Sequence, residues 1–161
     1  AVSRSTRLWH GELTLAAINA SHTNTMAAHV GVVFTELGED FLRATLPVDP
    51  RTIQPMGVLH GGVSMMFAET LAAAAAHCTI DVSQYECVVQ ESNANHLRPG
   101  LPGLVIGTAR PHHLGARSQV WGVEIDDERG RRICVARCTL SVVKLSVIKQ
   151  AAAGNQGPRQ E

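Results

Sequence analysis

Residues 54–76, QPMGVLHGGVSMMFAETLAAAAA, read as a loop running into one long helix. The helix spans about Gly61 to Cys78, holds no proline, and includes five consecutive alanines, the strongest helix former. Ser64, Glu69, Thr70 and His77 are its only polar interruptions, and a helix apolar on nearly every side belongs at the centre of a fold. Glu69 is the single charged residue in the run. Stripping water from a carboxylate is costly unless the group is paired or used, so Glu69 is the first candidate for a working residue.

Outward from the helix the pattern is simple. Thr14 to Ala20 has the composition of a short helix across an edge of the core, ended by the turn-prone SHTNT. Val30 to Glu36 and Phe41 to Val48 read as a strand hairpin around Gly38-Glu39-Asp40. Asp49 to Gly57 is a loop with two prolines that delivers Gln54 near the helix start. After Asp81 come four strand-like runs: Cys87 to Gln90, Leu104 to Ala109, Gln119 to Asp126 and Ile133 to Leu145. This order implies an α+β fold in which an antiparallel sheet can curl around the central helix, with one domain over 1–146 and 147–161 as a flexible tail.

With 161 residues, 45% of them hydrophobic, the chain can bury one sizeable core but not two. Fourteen basic and fourteen acidic residues cancel, and six aromatics offer little stacking surface, so no nucleic-acid partner is expected. The run from Val58 to Cys78 nearly reaches membrane-span length, but His60, Glu69 and the alanines make it too weakly apolar, so no membrane partner is expected either. The N-terminus has arginines without an apolar stretch behind them, and a cytoplasmic location is the default. Cys78, Cys87, Cys134 and Cys138 lack metal-site spacing and read as packing thiols in a reducing compartment. His112 and His113 would point to opposite faces of a strand without a third ligand, so no metal is expected.

Gln54, His60, Gly61 and Glu69 are each of a type that acts on a carbonyl. Gln54 and His60 can donate hydrogen bonds to its oxygen. The backbone amides of His60-Gly61-Gly62 at a helix start can hold an oxyanion, and Glu69 can attack or deprotonate water. Eight helical residues separate Gly61 from Glu69, roughly 12 Å, which is too far for one thioester carbonyl to meet both in one chain. Two subunits with antiparallel central helices would solve this, the helix start of one facing Glu69 of the other. Met65 and Met66 suit the wall of an adaptable acyl pocket.

Three segments carry a resemblance: QPMGVLHGGVSMMFAETLA (54–72), SNANHLRP (92–99) and HHLGARSQVWGVEI (112–125). Together they resemble the hotdog-fold acyl-CoA thioesterases of the 4-hydroxybenzoyl-CoA thioesterase branch. Within it, they are most similar to the proofreading thioesterases of enterobactin synthesis and the 1,4-dihydroxy-2-naphthoyl-CoA thioesterases. The match runs from about Arg7 to Leu145. It implies a hotdog fold and hydrolysis of an acyl-CoA or acyl-carrier-protein thioester, with an aroyl or arylacyl group leading. It fits a homodimer with shared sites, either alone or as a tetramer formed by a dimer of dimers, and implies no cofactor beyond the coenzyme A of the substrate. Glu69 is then the catalytic carboxylate and Gly61 the oxyanion donor, while Gln54 and His60 polarise the carbonyl. His96 lies on the substrate side, and His113, Gly115, Arg117 and Arg98 lie near coenzyme A. Relatives often carry Ser or Thr one turn after the glutamate, where this chain has Ala73, and Thr70 is expected to point about 100° away from Glu69. The competing readings are a hotdog dehydratase or hydratase and a non-catalytic acyl-CoA-binding protein.

Overall fold

The computed structural model describes residues 8–154, and of 151–154 the backbone alone. The elements in order are α1 (Leu15–Ser21), α2 (Met26–Val30), β1 (Val33–Leu37), β2 (Leu42–Val48), α3 (Gly61–His77), β3 (Tyr85–His96), β4 (Gly103–Leu114), β5 (Ser118–Asp127), β6 (Arg132–Lys144) and α4 (Leu145–Gly154). All six strands form one antiparallel sheet in the order β1-β2-β4-β5-β6-β3, and α3 packs on the face that β2 to β6 present to it. The α+β architecture expected from the sequence is the one observed.

Alternation explains the inner face. Leu42, Ala44, Leu46 and Val48 of β2 are buried every second residue, as are Gln119, Trp121, Val123 and Ile125 of β5. On α3 the buried side is Ser64, Phe67, Ala68, Leu71, Ala72 and Ala74 to Ala76. Gly107 of β4 is where the helix settles: a Cβ there would come within 2.8 Å of Phe67 and 2.9 Å of Leu71. The missing side chain lets the two large apolar groups lie on the sheet.

The first helix is capped by Thr14, whose hydroxyl accepts from the Ala17 amide, and Asn19 stitches it to the sheet by bonding both the amide and the carbonyl of Phe34 on β1. The segment after it departs from the sequence reading, which places Val30 at the start of a strand. SHTNT ends α1 as expected, but Thr25 then caps a further short helix, α2, closed by Gly31 in the left-handed region at φ 88°. The third strand is longer than Cys87–Gln90: it runs from Tyr85 to His96, so NANH lies on a strand. Helix α4 takes in 147–154 of the expected tail, and 155–161 lies outside the described residues. No helix among the described residues is long and apolar enough to cross a membrane.

All four cysteines are free and buried. Burial pushes the thiols of Cys78 and Cys87 up to about 11, the Glu86 carboxylate adding to the effect at Cys87, and burial raises Cys134 and Cys138 as well. A raised thiol pKa leaves the unreactive protonated form dominant at neutral pH. The folded protein at pH 7.5 is therefore expected to release no colour with a disulfide thiol reagent over minutes, and four equivalents in denaturant; rapid reaction of any cysteine in the folded state would contradict this packing.

Candidate active site

The loop before α3 is built to hold its shape. Thr52 is fully buried, donating to the Pro47 carbonyl at 2.8 Å and accepting from the Asp49 amide at 3.0 Å. Ile53 and Leu59 form an isolated bridge, the Leu59 amide donates to the Gly100 carbonyl, and the His60 amide donates to the Thr52 carbonyl. Gln54 begins the small turn so closed, and its side-chain oxygen accepts from the Met56 amide at 2.5 Å. The Gln54 oxygen is thereby occupied, leaving its NH2 to donate.

The loop delivers His60 as the N-cap of α3. Its Nδ1 accepts from the Gly62 amide at 2.9 Å, while its carbonyl accepts from Val63 and Ser64. The glycine amides of HGG are expected to be able to hold an oxyanion, and the structure separates them. Gly62 is capped, and among the described residues only the Gly61 amide of this first turn makes no hydrogen bond. Accepting at Nδ1 also leaves the proton of the neutral His60 ring on Nε2, where it can be donated outward.

Glu69 departs from its reading as a buried charge. In the single chain it is exposed, on the side of α3 away from the sheet core, with Gly62 exposed and Met65, Met66, Thr70 and Ala73 half-buried around that side. Its Oε2 accepts from Ser92 Oγ at 2.7 Å. Ser92 escaped the sequence reading because nothing in ESNANH marks which residues of the strand face the helix. Thr70 lines the same cavity of about 320 Å³ as Glu69, with His22, Met26, Met66 and Ala73, but its hydroxyl donates to the Met66 sulfur at 3.4 Å and does not reach Glu69. Met65 is not part of that wall. A larger cleft of about 490 Å³ continues along α3 between Ala17, Ile18, Ala74 and Cys78, sharing His22 and Ala73 with the first.

The remaining candidates fall into two groups. His96 is brought to the helix start of its own chain: a Cβ on Gly61 would lie 3.1 Å from His96 Nε2. Arg98 follows at the same end, its guanidinium donating to the Arg132 carbonyl at 2.6 Å. By contrast His113, Gly115 and Arg117 belong to the β4–β5 hairpin, where His113 packs against Gly115 and the Arg117 carbonyl accepts from Val142. Ladder register sets His113 level with Val120 and puts Gly115 and Arg117 in the turn before Ser118, whereas His96 is level with Ile125, so roughly 17 Å of strand separates His96 from His113 and about 23 Å separates it from the turn. One chain does not bring the hairpin to Gly61.

A six-stranded antiparallel sheet packed on one long helix, with a carboxylate and a free helix-start amide on that helix, defines a hotdog-fold protein equipped for carbonyl chemistry. Its residues 56–134 match the thioesterase superfamily. The chain is 49% identical to the proofreading thioesterase EntH of Klebsiella pneumoniae, over 84% of this chain and 98% of that one. A Pseudomonas aeruginosa thioesterase solved as a glutamine-to-alanine variant superposes with a TM-score of 0.84 at 41% identity, covering 86% of this chain and 99% of that one. A Staphylococcus aureus thioesterase gives 0.70 at 26% identity over 73% and 97% of the two chains, and was solved with a glutamine and, separately, a glutamate replaced by alanine. The chain belongs to the thioesterase superfamily and is a thioester hydrolase.

Thr52→Val keeps the shape but strands the Pro47 carbonyl and the Asp49 amide, and a loss of about 1–3 kcal/mol is expected in denaturant unfolding. An unchanged midpoint would show that Thr52 does not hold the loop.

Proposed function

We propose that the chain hydrolyses acyl-CoA thioesters carrying an aromatic acyl group, in an active site shared between two copies. The observation that carries this is the separation of the free Gly61 amide from Glu69. Both lie on the side of α3 that its own sheet leaves uncovered, about 12 Å apart. The S. aureus thioesterase supports the roles, because its two replaced residues are spaced as Gln54 and Glu69 are here.

In the proposed reaction the Gly61 amide, the Gln54 NH2 and His60 Nε2–H hold the thioester carbonyl, and Glu69 of the facing subunit attacks it or deprotonates a water. In either route the C–S bond breaks and the thiol leaves with a proton; after direct attack, water then cleaves the Glu69 acyl anhydride to free the acid. Neither metal nor redox cofactor takes part, and coenzyme A enters as part of the substrate. The paired cavities beside Glu69, walled by methionine, alanine and the His22 ring, suit a flat apolar acyl group. Pairing is supported by β3, a twelve-residue edge strand beside the site, and by exposed Met56, Leu97 and Leu101 around the helix start. The hairpin of His113, Gly115 and Arg117 lies far from Gly61 in one chain, and in this reading it meets coenzyme A as part of another subunit of a dimer of dimers. Four free thiols suit the cytoplasm.

Thiol release from benzoyl-, short-chain and long-chain acyl-CoAs tests the substrate, and the aromatic thioester is expected to give the highest kcat/KM. Glu69→Ala should lower kcat about 10²–10⁴-fold. Equal rates in the variant, or no turnover by the wild type, would sink the assignment.

A probe of the helix start is Gly61→Pro, read beside Gly61→Ala, which keeps the amide and adds the same Cβ 3.1 Å from His96 Nε2. Gly61 is the first helical residue and His60 has φ −67° and ψ 131°, the extended conformation a following proline requires, so the substitution deletes the amide proton and keeps the helix. A fall in kcat of about 10²–10³-fold with little change in melting temperature is expected. Mixing Gly61→Pro with Glu69→Ala subunits should restore about a quarter of wild-type activity, since half the dimers are mixed and each has one intact shared site. No recovery on mixing would show that each site is built from one chain.

A further inference from the structure

A glutamate on the exposed side of a helix samples several rotamers, and selecting one costs entropy. Glu69 is held by a single hydrogen bond among the described residues, the 2.7 Å contact from Ser92 Oγ to Oε2. The hydroxyl comes from a strand whose backbone is fixed by its ladder with β6, where Ser92 stands opposite Cys138.

A β-bulge aims it. Cys87 and Val89 face the helix and pair with Val142 and Leu140, so simple alternation would send Glu91, Asn93 and Asn95 inward and Ser92 outward. The register shifts between Val89 and Glu91, and the extra residue reverses the parity. Ser92, Ala94 and His96 then stand opposite Cys138, Ala136 and Cys134 on the inner face. One bulge therefore brings Ser92 to Glu69 and His96 to Gly61.

No helix hydroxyl competes. Ala73, one turn beyond Glu69 on the same cavity wall, has none, and the Thr70 hydroxyl is spent on the Met66 sulfur. Cys138 is fully buried behind Ser92, and burial keeps its thiol protonated, so no second charge sits behind the pair.

We propose that Ser92 is a positioning residue for Glu69: by holding Oε2 it directs Oε1 toward the reacting carbonyl or its water, in place of a hydroxyl on α3. The inference rests on Glu69 being the catalytic carboxylate. A hydrogen bond between partly exposed groups adds little to stability, so its loss registers in kcat rather than in unfolding.

The test measures kcat, KM and melting temperature for wild type, Glu69→Gln, Ser92→Ala, Ser92→Thr and the double variant Ala73→Ser/Ser92→Ala, with the best acyl-CoA substrate. Ser92→Ala is expected to lose about tenfold or more in kcat, with KM and melting temperature nearly unchanged. Return of kcat with a hydroxyl at either position 92 or position 73 supports the positioning role. The inference is overturned if Ser92→Ala keeps wild-type kcat, or if neither hydroxyl restores it. The parallel Glu69→Gln variant separates the two claims: an active Glu69→Gln removes the reading of Glu69 itself, whereas an inactive one beside an unimpaired Ser92→Ala removes only the role of Ser92.

Discussion

Eight residues of α-helix separate Gly61 from Glu69, and the sheet beneath measures the same interval independently. His96 touches the Gly61 end and Ser92 bonds Glu69, and four strand residues cover about 13 Å against about 12 Å for eight helical ones. Helix and strand are thus locked in register at both ends of the site. A carbonyl held at the Gly61 amide is one full site length from the carboxylate of its own chain, and no side-chain rearrangement closes that gap. Every other feature of the site answers to this spacing: the rigid loop that presents Gln54 and His60, the uncovered side of α3, and the long unpaired edge of β3.

The elements that were legible in the sequence are those whose signal is local. Helix α3 declares itself through composition, and β2 and β5 through strict alternation on a half-buried sheet. The family segments likewise mark Gln54, His60, Gly61 and Glu69, each of which falls on the loop or helix expected of it. Helix α2 was lost because five residues between a turn signal and a glycine carry no periodicity; its caps, Thr25 and Gly31, are what reveal it. Capping also explains the second amide at HGG, since whether an N-cap histidine turns its ring back on the helix is a rotamer choice invisible in the letters.

Ser92 shows a different kind of illegibility. Alternation gives the right face only while the register is unbroken, and the insertion near Gln90 exchanges inside and outside for the rest of β3. The sequence ESNANH holds one small apolar residue, Ala94, among five polar ones, too little for a hydrophobic pattern to report the exchange. The ladder partners do report it, because Cys138, Ala136 and Cys134 line the helix-facing side of β6.

The exposure of Glu69 resolves into the same constraint. An all-round apolar helix was the reason to expect a desolvated carboxylate, yet the chain buries only the side of α3 that faces its own sheet. The surplus is on the other side, where Val63, Met65, Met66 and Ala73 stay half-exposed around the charge. A helix evolved for a monomer would carry lysines and glutamates there. In the proposed dimer that face meets a second copy, water leaves the carboxylate, and an oxyanion donor from the partner subunit arrives where the chain's own cannot reach. In that dimer the apolar excess and the 12 Å gap would be two consequences of one arrangement, a charge kept solvated in the single chain becoming reactive when the second subunit covers it.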